Sequence, residues 1–302
     1  MAYSILQLLA FLLAPPLLLG VIGRVKARVA GREGPPLLQP YRDLARLLRK
    51  GAVYSRTATW LFRAGPVVGL AAVLAAGLMV PLGAPAATVS FDGDFVLVAY
   101  LLGLARFFTV LAALDTGSSF EGMGASREVT FSALAEPALF LGLLSLVRST
   151  GGLDLSHLLG PGLSAAWRTD GPALLLVGLA FFVVALAENA RIPVDDPATH
   201  LELTMIHEVM VLDHSGPDLA LIQYGAALKL WLFGALVVNL FLGARPADPA
   251  LAFAAFLALE LAFAAAIGLV ESSMARLRLV RVPQLLVGAS VLSGFALVLL
   301  LR

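Results

Sequence analysis

The feature that most constrains this chain is a succession of eight apolar runs, each close to twenty residues long: 3–23, 64–84, 95–114, 129–147, 172–190, 219–241, 250–271 and 284–301. A run of that length crosses a hydrocarbon core of about 30 Å as a helix, and helices satisfy their own backbone donors and acceptors away from water. The expected fold is an all-α polytopic membrane protein, one integral membrane domain over residues 1–302. Charge content agrees. Only 14% of residues are Asp, Glu, Lys or Arg, against about a quarter in soluble chains. The first run reads as a retained helix rather than a leader. No basic residue precedes it, and Ala14-Pro15-Pro16 leads on to further apolar residues and Arg24.

Several chemistries are excluded. With no cysteine, the chain cannot ligate an iron–sulfur cluster or attach a c-type haem, because both need thiolates. The histidines, His157, His200, His207 and His214, all fall outside the expected spans, which argues against a b-type haem held between helices. No tract of like charge suggests nucleic acid. This chain is therefore expected to bind no cofactor and no metal of its own, and any electron carriers belong to other subunits.

The placement of charge gives an orientation. The loops 24–63, 115–128, 191–218 and 272–283 share one side and hold fifteen Lys or Arg residues. The other side, with both termini, holds four: Arg148, Arg168, Arg245 and Arg302. Basic residues accumulate in cytoplasmic loops, so both termini are expected to be extracytoplasmic.

Two loops on the basic side have structure of their own. After Gly34-Pro35-Pro36, Pro40 can start a helix over Tyr41–Lys50, with Leu44, Leu47 and Leu48 on one face and Arg42, Asp43, Arg46, Arg49 and Lys50 around the rest. Such a helix lies on anionic headgroups at the bilayer surface. In the third loop, Asp196-Pro197 supplies an N-cap and a first-turn proline for a helix from Pro197 to about Leu212.

The spans themselves carry charge. Arg106, Glu136, Lys229 and Glu260 are mid-span, and Glu188 and Glu271 lie near the ends of theirs. A charge at the bilayer centre costs roughly 2.5–3.5 kcal/mol on insertion scales. Burial disfavours the charged form of a carboxylate, and a nearby Lys or Arg favours it, so such groups can exchange protons near neutral pH. The plain alternative is a set of static ion pairs between helices, a reading that suits one pair better than six groups. Glu188 and Glu271 could also snorkel to the interface. His207-Glu208 begins an HExxH pattern, but Val211 breaks it. His200 and His207 then read as hydrogen-bonding groups at an interface, with a part in proton delivery.

Three segments carry a family resemblance: GPPLLQPYRDLARLLRK (34–50), ENARIPVDDPATHLELTMIHEVMVLDHSG (188–216) and ESSMARLRLVRVP (271–283). They resemble formate hydrogenlyase subunit 4 and hydrogenase-4 component C, membrane subunits of group 4 [NiFe] hydrogenases, which are similar in turn to subunit 1 of complex I. The resemblance implies a bacterial or archaeal cytoplasmic membrane. It also implies a non-redox subunit that anchors a cytoplasmic arm of a hydrogenase-like large subunit, a small iron–sulfur subunit and a ferredoxin-like subunit to antiporter-like membrane subunits. [NiFe] and iron–sulfur clusters would lie in those partners.

By motif, Glu136 matches the glutamate of the fourth span, Glu188 the one before the arginine–proline motif, and Asp195 and Glu202 the acidic positions of the loop. Proton transfer is thus expected of Glu136, Glu188, Asp195, Glu202, Glu260, Glu271, Arg106, Lys229, His200 and His207. Partner docking is expected of Tyr41, Arg42, Arg46, Arg49, Arg191, Pro193 and Asp213. The chain departs from complex I where E-x-E-x-E becomes Ala198, His200 and Glu202, and where Gln223 replaces a glutamate of the sixth span. Those changes weaken a quinone-site reading, which stands as the alternative; a freestanding ion transporter is disfavoured because no internal repeat is visible.

Overall fold

A computed structural model describes residues 2–83, 86–196, 205–242 and 248–302. In chain order the helices are α1 (Ala2–Leu13), α2 (Pro15–Val29), α3 (Gln39–Leu48), α4 (Trp60–Gly77), α5 (Asp94–Asp115) and α6 (Ser119–Thr150). They continue as α7 (Leu155–Leu158), α8 (Leu163–Glu188), α9 (Gly216–Phe241), α10 (Pro249–Ser273) and α11 (Val282–Leu300). No strand occurs among the described residues. Among the described residues seven helices are long and apolar enough to cross a membrane, and counting the bent pair α1 and α2 as one span makes eight. The chain is a multi-pass, all-α membrane protein. The deeply buried α9 touches α2, α4, α8 and α10, while α6 lies along α11 and α4 along α5.

The first span is broken, by 47°, because of Pro15 and Pro16. Neither can donate a backbone N–H, so the carbonyls four residues earlier lose their helical partners. Tyr224 from α9 donates its hydroxyl to the orphaned Leu12 carbonyl at 2.6 Å. The Leu17 N–H turns to Ala14 instead (2.9 Å), and the hydroxyl of Tyr41 takes the Leu13 carbonyl. Expected at a docking face, Tyr41 is therefore turned inward, and it fastens α3 to the break.

Two of the differences from the expected boundaries bear on the site. The fourth span starts ten residues early, because Arg127 and Glu128 continue α6 rather than a loop; Arg127 spans to the Met205 carbonyl at 2.9 Å. The helix expected from Pro197 falls partly outside the described residues, including His200 and Glu202. The rest of it is a bend and a single 3₁₀ turn, Glu208–Val211. Here the Asp195 carboxylate captures the N–H groups of Ile206 (3.3 Å) and His207 (3.1 Å). Gly124 of α6 lets this segment sit close, since a Cβ there would meet the Ile206 carbonyl oxygen at 2.9 Å.

Candidate functional site

Four helices and two loops deliver charged side chains to one place. Arg106 comes from the middle of α5, Glu128 and Glu136 from α6, and Glu188 is the last residue of α8. Lys229 comes from α9, Asp195 and His207 from the segment between α8 and α9, and Arg276 from the loop after α10. Glu188 ends its helix where the backbone turns through Ala190 (φ 53°) into a cis Ile192–Pro193 bond, and that turn aims Asp195 back at the bundle.

The guanidinium of Arg106 binds both oxygens of Glu188 at 2.8 Å. It reaches Glu136 at 2.9 Å and Glu128 at 3.4 Å. Lys229 donates to the second Glu188 oxygen at 3.2 Å. Glu128 then faces His207 Nε2 at 2.9 Å, His207 Nδ1 faces Asp195 at 3.2 Å, and Asp195 meets Arg276 at 2.9 Å. The result is one connected chain, with four carboxylates and four basic groups.

Its electrostatics outside the spans follow from these contacts. Burial is the largest influence on His207 and opposes its charge, but the carboxylates of Glu128 and Asp195 outweigh it and raise the imidazolium to about 9. Burial likewise opposes the charge on Asp195, but hydrogen bonding and charge from His207, with Arg276, hold its carboxyl below the ordinary value.

Several expected site residues need correction. Glu136, expected to be buried, has a side chain 52% exposed on the flank of the isolated chain. There a small cavity of about 130 Å³ opens between α5 and α6, lined in part by Tyr100, Gly103, Arg106 and Glu136. Glu260 is wholly buried but stands outside the chain of contacts. Neither of its carboxyl oxygens has a hydrogen-bond partner, and they sit in a notch left by Gly234, where a Cβ would collide with the carboxyl. Gly234 lies five residues beyond Lys229 on α9, about 7.5 Å further along the helix.

Glu271 also stands apart, clamping α2 to α10 through Lys26 (2.8 Å) and reaching Arg191 (3.5 Å). That contact turns Arg191 inward, with 12% of its side chain exposed, and Pro193 is buried. Arg42, Arg46 and Arg49 are exposed, Arg46 being paired with Asp43 of its own helix. Asp213 is exposed too, with its N–H held by Glu121 at 3.1 Å. Sequence reasoning missed Glu128, which stands one residue outside the expected fourth span; that closeness to an uncertain boundary was the only signal.

A partly open cavity of about 470 Å³ adjoins the network. Arg106, Glu128, Glu188, His207 and Lys229 form its charged side, while Gly65, Leu70, Val73, Leu102 and Ile222 are among its apolar wall. Among the described residues no cluster of three or more His, Asp or Glu could hold a metal ion.

Fold and site together define a membrane subunit with an internal chain of ionisable groups. Residues 2–302 match the family described as NADH dehydrogenase, and the chain belongs to that family. It is 35% identical to hydrogenase-4 component C of Escherichia coli K12 over 80% of this chain and 75% of that one. To formate hydrogenlyase subunit 4 of the same organism it is 30% identical, over 94% and 93%. In structure it resembles a chain of the archaeal membrane-bound sulfane sulfur reductase, with a TM-score of 0.84 at 20% identity over 99% and 98%.

Proposed function

We propose that this chain, a membrane subunit of a group 4 hydrogenase-like complex, couples redox chemistry in a cytoplasmic arm to proton movement within the membrane. The observation that carries this reading is the unbroken run Arg276–Asp195–His207–Glu128–Arg106–Glu188–Lys229, with Glu136 branching from Arg106. Every link is 3.4 Å or shorter. Arginine stays protonated in proteins, so Arg106 holds carboxylates in place while Glu128, Glu136, Glu188, Asp195, His207 and Lys229 carry protons. Because charges of both signs are matched, a proton added at one end alters the energies of the rest without stranding a lone ion. Glu260 is the next acid beyond Lys229.

The basic side would face the cytoplasm and receive a hydrogenase-like large subunit, a small iron–sulfur subunit and a ferredoxin-like subunit. Antiporter-like membrane subunits would lie against the flanks, one near Glu136. Similarity to hydrogenase-4 component C and formate hydrogenlyase subunit 4 supports these partners, and any [NiFe] or iron–sulfur centre would sit in them.

The test is redox-driven proton translocation by the purified complex in proteoliposomes, with complex yield measured on the same preparations. Glu136→Gln and Glu260→Gln should keep the yield and depress translocation, because glutamine keeps the shape of glutamate and cannot exchange a proton. Normal translocation in both would overturn the reading for these residues; lost yield would indicate static pairs. A second reading, a quinone-type site, is favoured by the cavity of about 470 Å³, a size usual for small-molecule sites. Inhibition of turnover by quinone analogues would support it.

A further inference from the structure

His214 lies outside the network yet helps to line the same cavity. It stands between the 3₁₀ turn and α9, and its N–H closes onto the Val211 carbonyl at 3.1 Å. Its ring is stacked on Phe62, with centroids 3.9 Å apart and planes 10° from parallel. Tyr54 meets the other edge of Phe62 at 6.4 Å. The first loop is clamped over this slot, because the Val53 N–H donates to Ser215 at 3.1 Å. Gly216 has φ 54°, and a Cβ there would meet the Gly51 carbonyl oxygen at 2.6 Å. Only 4% of His214 remains exposed, and its Nδ1 is buried without a partner.

Phenylalanine would fill this slot as well and would strand no polar atom. A buried, unpaired donor or acceptor costs about 1–3 kcal/mol, so the imidazole has a use beyond packing. The groups around it suggest which. Asp213, on its own segment, is exposed, and Asp218, in the first turn of α9, has a buried, unpartnered Oδ2. From the first loop, Tyr54 brings its hydroxyl near Asp218. Arg63 of α4 sits 4.3 Å over the Tyr54 ring, and Glu121 of α6 holds the Asp213 N–H. Acidic groups thus flank one side of a stacked imidazole whose ring also borders the cavity.

We propose that His214 is a proton-transfer residue linking the aqueous surface at Asp213 and Asp218 to the cavity that holds the Arg106 network, as an entry separate from His207. This rests on the proton-coupling reading above. A proton delivered through water beside the carboxylates bonds to one ring nitrogen. The N–H bond at the other nitrogen breaks and releases its proton to water or a carboxylate in the cavity. Tautomerisation resets the ring, and no net charge is gained. Burial, against the pull of Asp218 and Asp213, lowers the affinity of this imidazole for protons, so it rests neutral and ready to accept.

The test uses the whole complex in proteoliposomes, with a dye as electron partner for the arm. His214→Phe keeps the stack on Phe62 and cannot carry a proton. Translocation per turnover should fall at least about tenfold, in line with the size of acid–base contributions, while yield and dye turnover stay parental. His214→Ala should be partly rescued by added imidazole, with a pH profile that follows the added base. Parental translocation by His214→Phe overturns the proposal, as does a failure of both variants to assemble, which would make the residue structural. If the unaltered complex translocates no protons, the coupling reading itself falls, and this proposal with it.

Discussion

Arg106 Nη2 donates to both carboxylate oxygens of Glu188 at 2.8 Å, and this pair joins the middle of α5 to the last residue of α8. The same guanidinium touches Glu128 and Glu136, so one side chain sets the geometry of three carboxylates.

Removing it should therefore be costly. Arg106→Gln takes one counter-ion from each of Glu128 and Glu188, both 6% exposed at the side chain, and leaves them to His207 and Lys229. Breaking one partner of a buried pair costs about 3–5 kcal/mol. Complex yield in mild detergent should collapse, and Arg106→Lys should restore it only in part because one ammonium cannot reach Glu128, Glu136 and Glu188 as the three guanidinium nitrogens do. Parental yield for Arg106→Gln would show that the pairs do not hold the bundle.

The raised imidazolium of His207 predicts a pH dependence. Its folded value of about 9 lies above the unfolded 6.5, so its contribution is complete below the unfolded value and is lost as pH rises through about 9. The full effect is on the order of 3 kcal/mol. Thermal unfolding followed from pH 6 to 10 should show Tm falling between about pH 6.5 and 9 and levelling off above that. In His207→Gln that fall should be largely absent.

Gly20 of α2 tests how the first loop is seated. A Cβ at this position would collide with the backbone carbonyl of Leu37, and backbone cannot rotate away as a side chain can. Gly20→Ala should cost about 1–3 kcal/mol and loosen α3. Limited proteolysis between Arg28 and Arg56 should then be faster than in the parent.

Charge reversal at Arg42, Arg46 and Arg49 should weaken attachment of α3 to anionic membrane or partner, at about 1 kcal/mol per charge near the surface. Arg46 should contribute least, since Asp43 already pairs with it. A complex that stays intact and fully active in membranes after all three changes would count against a docking role.

The excess of basic residues on one side predicts both termini outside the cytoplasm. A reporter that matures only in the cytoplasm, fused after Arg302, should stay inactive.

The sequence by itself determined the all-α membrane fold, the eight crossings and the amphipathic α3, because hydrophobic length and helical period are local properties that the bilayer reads directly. It also marked Arg106, Glu188 and Lys229, since charge inside a span stands out against any apolar run. What it did not settle was how far each helix continues past its apolar stretch and which way each side chain points. Glu128 looked like loop because hydropathy ends the fourth span at 129, yet α6 continues through it, and tertiary contacts with Arg106 and His207 satisfy its charge. Glu136 and Glu260 looked alike as mid-span acids. Helix rotation placed one on the flank beside Arg106 and sealed the other against Gly234. Those outcomes depend on packing between segments far apart in the chain, where a lone charge becomes tolerable only once a distant partner arrives to meet it.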